Sequence, residues 1–333
     1  MTTLTANSKK RLVGVGACYL DTILSVPHFV AEDEKLRASN IVRRRGGNCP
    51  NTLEVLQQLL ASDDSVAVAL NLISTLPESS SPAVQEIRSS LGAAVSTDTC
   101  IYRHGQSEPA SSYIIKSLAT GSRTIINYNA LEEMKYDEFV QKSRSLDSGS
   151  EGMWYHFEGR IPDVTLRCIQ YLRSATPRTT ISVEVEKPGR EGLQDLVPLV
   201  DVVFYSKSWA QSNGYKSAEE CVLAQARVAP NALLLCCTWG EMGASALEPY
   251  KSKSICESAP AFKFADGRPI VDTVGAGDTF IAGILYSYIS GHRDWTLQRR
   301  LGFANELAGR KVTQEGFAGL AQLVHVRHSG KYE

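Results

Sequence analysis

No run of this sequence approaches the roughly 18 uncharged apolar residues that a membrane helix needs, so a spanning role is excluded. The stretch Met1 to Lys10 is polar and has no apolar signal core, which argues against a secretory leader. An excess of charge is missing too. With 35 basic and 36 acidic residues and a net charge of -1, no global field favours nucleic acid or an anionic membrane. The densest basic run, Arg43-Arg44-Arg45, is three residues long and reads as a solvated edge. Eight cysteines are scattered without a CxxC pair, and six histidines are dispersed, so no disulfide framework or zinc spacing is visible. Reduced, buried thiols in a cytoplasmic protein fit that pattern. Linkers and repeats are absent, and low complexity is confined to Glu78-Ser79-Ser80-Ser81. The expectation is one domain over about 11–325, behind a short disordered tail at 1–10.

What is present is an alternation of apolar strands and amphipathic helices. Strand-like runs fall at 11–18, 65–73, 153–157, 181–187, 201–205 and 232–237, with helix-like runs at 82–91, 164–173, 218–228 and 297–312 between or after them. Polar residues recur just past the strands: Asp21, Glu158, Glu184, Glu186, Lys187, Lys207 and Glu241. The C-terminal edge of a mostly parallel α/β sheet is where such residues share a cleft. Two segments, 22–45 and 98–128, break the rhythm with short β-prone pieces. Together they read as a small inserted sheet placed as a lid.

Two glycine-rich turns stand out. At Val271-Asp272-Thr273-Val274-Gly275-Ala276-Gly277-Asp278-Thr279-Phe280, a β-type run (Pro269 to Val271) enters a tight turn and then an apolar helix expected over 279–289. The helix N-terminus offers unpaired N–H groups to an anion, and Asp278 stands beside it as a cap or a base. At Arg45-Gly46-Gly47-Asn48-Cys49-Pro50-Asn51, two amides lie at the entrance of a helix whose stripe is Leu53, Leu56, Leu59 and Leu60. Asn48 is either an N-cap or, with Asn51, a polyol ligand.

These two motifs resemble those of the ribokinase/PfkB family of carbohydrate kinases, and the likeness runs from about 11 to 320. His156-Phe157-Glu158-Gly159-Arg160, Ser182-Val183-Glu184-Val185-Glu186-Lys187-Pro188, Asp201-Val202-Val203-Phe204-Tyr205-Ser206-Lys207 and Cys237-Thr238-Trp239-Gly240-Glu241-Met242-Gly243-Ala244 are similar to the ketohexokinase (fructokinase) branch. The resemblance implies a three-layer αβα body, a β-sheet lid that doubles as a homodimer interface, and ATP-dependent phosphorylation of a ketohexose, D-fructose to fructose 1-phosphate. It implies sugar contacts from Asp21, Gly47, Asn48 and Asn51 with Lys187 nearby, and an anion hole from Gly275, Ala276 and Gly277. Asp278 would be the base, and Arg123 would reach the transferring phosphoryl group. Lys207, Gly240, Glu241, Gly243 and Asn305 would line the ATP site. Mg²⁺ is implied and a need for K⁺ is left open. Where many members carry an Asn-x-x-Glu metal motif, this chain has Ser206-Lys207-Ser208-Trp209. Its metal-organising residues are therefore unassigned, with Glu184 and Glu186 as candidates.

The chemistry implied is in-line transfer of the γ-phosphoryl group, with Asp278 taking the hydroxyl proton and the anion hole offsetting phosphoryl charge. The sugar end is generic, so ribokinase, another fructokinase and nucleoside kinase stay open as alternatives, as does a sugar or nucleotide sensor without turnover.

Overall fold

The computed structural model describes residues 10–63, 66–146, 152–249 and 254–324. The expected tail lies outside them except for Lys10, which already belongs to the first strand. That strand, β1 (Lys10–Val15), leads into an excursion, β2 (Tyr19–Val26) and β3 (Asn40–Gly46), before α1 (Asn48–Ala61) and β4 (Val68–Ile73). Short strands β5 (Thr75–Leu76), β6 (Val95–Ser96) and β7 (Ile101–Tyr102) flank α2 (Pro82–Leu91). The helix α2 starts cleanly because Ser81 accepts the Val84 N–H and Pro82 occupies the first turn. The second excursion is β8 (Ala110–Ser117) and β9 (Arg123–Tyr128).

Strand and helix then alternate: α3 (Tyr136–Leu146), β10 (Met153–Phe157), α4 (Pro162–Ala175), β11 (Thr180–Val185) and the short α5 (Leu193–Leu196). After β12 (Val202–Tyr205) come α6 (Lys207–Ser212), α7 (Ala218–Gln225) and β13 (Leu234–Thr238). An antiparallel pair, β14 (Ala244–Glu248) and β15 (Ile255–Ala259), precedes α8 (Ala276–Ile289), α9 (Leu297–Lys311) and α10 (Leu320–Leu323).

Among the described residues the main sheet has nine strands in the order β15-β14-β13-β12-β11-β10-β1-β4-β6, parallel from β13 to β6. Its strands are near-continuous apolar runs because both faces are covered. Val202, Phe204, Leu234 and Cys236 pack toward α1, α8 and α9, while Val203, Tyr205, Leu235 and Cys237 pack toward α4 and α7. Each buried large apolar side chain contributes about 1.5–3 kcal/mol, so these two layers outweigh any single ion pair. The helix α8 is apolar all round and buried, and Gly283 lets it close on α9, since an added Cβ would lie 2.9 Å from Ala304 Cα.

The second sheet, in the order β3-β2-β8-β9, pairs β2 with β8 in parallel and its other neighbours antiparallel. One face looks onto the body across a cavity of about 530 Å³ bounded by Ile23, Arg44, Ile114, Arg123 and the segment 270–274.

Three local expectations are corrected. Pro269 to Val271 is not a strand: β15 already ends the sheet, Ile270 is 70% exposed, and the Val271 N–H goes to Val312 O at 2.7 Å. The following helix begins three residues early, at Ala276, because Gly275 takes the left-handed conformation (φ 78°) as its cap. Asp21 is not in the loop after β1 but within β2, opposite Arg44 on β3 and Ser112 on β8.

Candidate active site

The turn ahead of α8 is shaped by what cannot be there. An added Cβ on Gly275 would fall 2.3 Å from Phe317 Cζ, so only glycine allows that ring to back the turn. At Gly277 an added Cβ would meet nothing within 4 Å, so the helix start borders open space. The Ala276 N–H is drawn into the turn by Thr273 O at 3.3 Å. The Gly277 and Asp278 N–H groups, in the first turn, have no intrahelical acceptor by position. Of the anion hole expected from Gly275, Ala276 and Gly277, the Ala276 N–H is thus already engaged within the turn.

Asp278 is buried beside them. Its Oδ2 accepts Asn51 Nδ2 at 2.7 Å, and its carbonyl accepts Thr52 Oγ1 at 3.2 Å. Burial pushes its pKa up to about 7, opposed by the Asn51 hydrogen bond and raised further by Glu186 and Glu158. A carboxyl poised near neutrality suits a general base. The capping alternative is not realised, since Gly275 is the N-cap and no side chain caps the helix.

On the sugar side, Gly47 has φ 107° and a Cβ there would lie 2.1 Å from Ala17 O, so glycine is obligatory at the entrance of α1. Gly47, not Asn48, is the helix cap. Asn48 instead donates Nδ2 to Glu184 Oε2 at 2.7 Å. Asn51 is committed at both ends, taking Arg45 Nη1 on Oδ1 at 2.9 Å while donating to Asp278. Arg45, itself buried, is braced by Glu54. Asn51 thus orients the carboxylate instead of presenting an open amide. Asp21 is buried, and burial raises its pKa while Ser112 and Arg44 oppose the rise. Gly46 lets it approach, since a Cβ would lie 2.6 Å from its Oδ2. Lys187 is exposed in a turn whose carbonyl receives the Arg190 N–H, and among the described residues it makes no hydrogen bond to Asp21, Asn48 or Asn51.

Beneath Asp278 lies a carboxylate cluster. Glu184, Glu186, Ser206, Thr238, Gly277 and Asp278 line a cavity of about 50 Å³. Burial raises the pKa of Glu158 to about 7 against the Ala17 N–H at 2.7 Å, and raises that of Glu184 well above the ordinary range, helped by Glu186 and Asp278. Such a set cannot all ionise in a dry pocket unless a cation joins it. The hard oxygen donors of Glu184 and Glu186 fit Mg²⁺.

A relay orients Glu184. Trp154 Nε1 donates to Ser182 Oγ at 2.8 Å, and the Ser182 proton has its short acceptor in His156 Nδ1 at 2.9 Å. With Glu184 ionised, His156 Nε2 carries the ring proton and donates to Glu184 Oε1 at 3.1 Å. Burial drives the His156 pKa down to about 3, so the ring is neutral. Cys49 completes a compact trio with His156 and Glu184. Its thiol donates toward Val15 O and His156 O at 3.4 and 3.6 Å, so the sulfur is engaged in hydrogen bonding.

Three comparisons give this arrangement its context. The family model "pfkB family carbohydrate kinase" matches residues 9–322. Ketohexokinase of Mus musculus is 30% identical over 94% of this chain and 99% of that protein. The chain belongs to the pfkB family of carbohydrate kinases. Among solved structures, the ribokinase of Arabidopsis thaliana, complexed with ribose and ATP, has a TM-score of 0.71 at 17% identity, over 92% of this chain and 94% of that one. The ribokinase of Cryptococcus neoformans var. grubii serotype A, in complex with ADP, has a TM-score of 0.64 at 17% identity, over 95% of this chain and 100% of that one. This pfkB chain is an ATP-dependent sugar kinase of ribokinase-like fold. Among the described residues, no helix is long and apolar enough to cross a membrane.

In this pfkB kinase the residues expected at the nucleotide follow β12 and β13, at the same strand ends where Ser206 and Thr238 line the cavity with Asp278, or pack beside them from α9. Gly240 (φ 60°) and Glu241 form an exposed 3₁₀ turn after β13, closed by the Trp239 N–H on Gly243 O at 2.7 Å. Gly243 (φ 96°) must be glycine, because a Cβ would lie 2.0 Å from Ala259 O. Asn305 on α9 donates Nδ2 to Ala259 O and Pro260 O at 2.9 and 3.0 Å, tying the same corner. Lys207 opens α6 at the end of β12, half-buried. Arg123 leaves β9 to donate to Thr273 Oγ1 at 3.0 Å and stands 3.8 Å from Asp272 Oδ1. It therefore reaches the turn, but by way of residues unassigned from the sequence. Asp272 also binds Arg44 at 2.8 Å and Lys311 at 2.9 Å. A signal for Lys311 was available: it continues the stripe Leu297, Leu301, Ala304, Leu307 on a buried helix face.

Proposed function

We propose that the chain transfers the γ-phosphoryl group of ATP to a ketohexose, D-fructose at its 1-hydroxyl first among the candidates. The observation that carries the reading is Asp278, a buried carboxylate of raised pKa, held by Asn51 at the N-terminus of α8 beside open space. In the reaction a sugar hydroxyl held by Asp21 and the Gly47-Asn48 entrance gives its proton to Asp278 as its oxygen bonds to phosphorus. The bond to the ADP oxygen breaks in line. The N–H groups of Gly277 and Asp278, with Arg123, offset charge on the phosphoryl oxygens. Lys207, Gly240, Glu241, Gly243 and Asn305 frame the nucleotide. Mg²⁺, held by Glu184 and Glu186, would supply charge neutralisation of the nucleotide phosphates.

The choice of a ketohexose is supported by the ketohexokinase relative, which spans almost the whole chain. The small sheet acts as the lid that excludes water, and its outer face pairs two copies as a homodimer in the cytoplasm. An ATP-consumption screen of fructose, other ketoses, ribose and adenosine tests the substrate, and phosphorus NMR of the product identifies the hydroxyl. Fructose 1-phosphate is the expected product; turnover of ribose or adenosine with fructose inert would replace the substrate reading. The same screen run with and without K⁺ reads out any monovalent-cation requirement.

A further inference from the structure

Lys311 is the last residue of α9 and its side chain is wholly buried. Stripping an ammonium of water is costly unless it is paired and hydrogen-bonded. At this position of the apolar stripe a leucine or methionine would pack without that cost, so the charge answers to something other than packing. Its Nζ donates to two atoms of one residue, Asp272 O at 3.0 Å and Asp272 Oδ2 at 2.9 Å, and stands 5.3 Å from the centre of the Phe317 ring.

Both partners bear on the α8 turn. Asp272 opens it, and its Oδ1 accepts the Val274 N–H at 3.0 Å. Its main chain is pinned by Val312 O, which takes the N–H groups of Val271 and Asp272 at 2.7 and 3.2 Å. Phe317 is the ring that lies against Gly275. One ammonium thus ties the first residue of the turn to the ring that backs its last glycine, and Asp278 follows within the first turn of α8. Burial lowers the Lys311 pKa while Asp272 opposes the fall; against its own burial, the Asp272 carboxyl is held down to about 2 by hydrogen bonds from Lys311, the Val274 N–H and Arg44.

We propose that the Lys311 ammonium is a resident cation that sets the Asp272-to-Gly277 turn, and so acts as a positioning residue for phosphoryl transfer by placing Asp278 and the N–H groups beside it. The proposal rests on that turn being the transfer site, and not on which sugar is the acceptor. An ammonium, methylammonium or potassium ion accepts the same carbonyl and carboxylate ligands, so truncation leaves a space that a small cation can refill.

The test is Lys311→Ala, assayed with the sugar that the screen selects, with circular dichroism and a melting curve to establish folding. Misplacement of a reacting group by about 1 Å costs on the order of 10²-fold. A fall in kcat of about that size is expected, with the KM for sugar held within about threefold. Methylammonium or K⁺ should restore at least about tenfold of the loss, and tetramethylammonium, too large for the space, should restore none. A folded variant with unchanged kcat, or one that no small cation rescues, overturns the proposal. Should alanine unfold the chain, Lys311→Gln, which keeps a donor but not the charge, carries the test, and unchanged kcat there overturns it. Asp278→Asn run in parallel separates the two readings. If it abolishes turnover while Lys311→Ala does nothing, only the lysine proposal falls; if it leaves turnover intact, the site itself is wrong.

Discussion

At Asp278 burial lifts the carboxyl pKa to about 7 from the 3.8 of a free aspartate, while Asn51 holds one oxygen at 2.7 Å. Two outcomes follow with opposite signs. As a base the group must be ionised, so kcat/KM is expected to climb with pH through about 7 and level off above it. As a buried acid it binds its proton more tightly folded than unfolded. Its contribution to stability is therefore present at low pH and lost as pH rises through the folded value. Asp278→Asn should abolish the pH step and lower kcat by about 10²–10⁴-fold, with nucleotide and sugar binding by calorimetry little changed. The same variant should melt a few degrees higher than wild type at pH 8, the gap closing toward pH 5. Wild-type turnover in the variant would sink the base assignment. Asp278 and its glycines were legible in the sequence because the turn, the cap and the helix are contiguous. The commitments of Asn51 and Asn48 were not, since their partners lie 227 and 136 residues away and only folding brings them together. The neutral His156 that fixes Glu184 was hidden for the same reason, through a link across 28 residues.

Elements meet where the loops have no side chains to spare. At the entrance of α1, Gly47 holds φ 107° against the Ala17 carbonyl, a conformation that an L side chain adopts only with strain and here also with a clash at 2.1 Å. Gly47→Ala is expected to cost at least about 3 kcal/mol, read as a fall in the urea midpoint, and to erase turnover because α1 carries both Asn48 and Asn51. An alanine variant as stable as wild type would show that the entrance can rearrange. At this scale the sequence was a fair guide. The strand β10 and the helix α2 fall where hydrophobic spacing puts them. The misread run at Pro269 to Val271 shows the limit: three β-prone residues make a strand only if a sheet edge is free to receive them. The turn glycine moved the start of α8 for a related reason, because a left-handed residue can cap a helix that periodicity alone would begin later.

For the whole molecule, the small sheet poses the remaining problem. Its body face carries Asp21, Ile23, Arg44, Ile114 and Arg123 toward the site. Alternation then turns Ile41, Tyr113, Ile126 and Tyr128 to the other side, where they are 59%, 46%, 55% and 51% exposed. Tyr113 and Ile126 are cross-strand partners, so these residues form a patch and not isolated spots. The edge strand β9 is exposed along its full length, which is a liability for a lone chain. The segments 22–45 and 98–128 announced a departure from the body by their composition. Which of their faces would lack a cover was not legible, because that depends on the register between β8 and β9. A second copy that lays the same face on this one would bury the patch symmetrically. Light scattering is then expected to give twice the 36.4 kDa of one chain. Ile126→Glu, which places a charge at the centre of the patch, should shift the mass to one chain without unfolding the body, whose two cores lie elsewhere. Because Arg123 leaves the same strand three residues earlier on the opposite face to reach Thr273, loosening β9 should also lower kcat. A wild-type chain that scatters as a monomer at micromolar concentration would remove the dimer from the account and leave the patch to another partner.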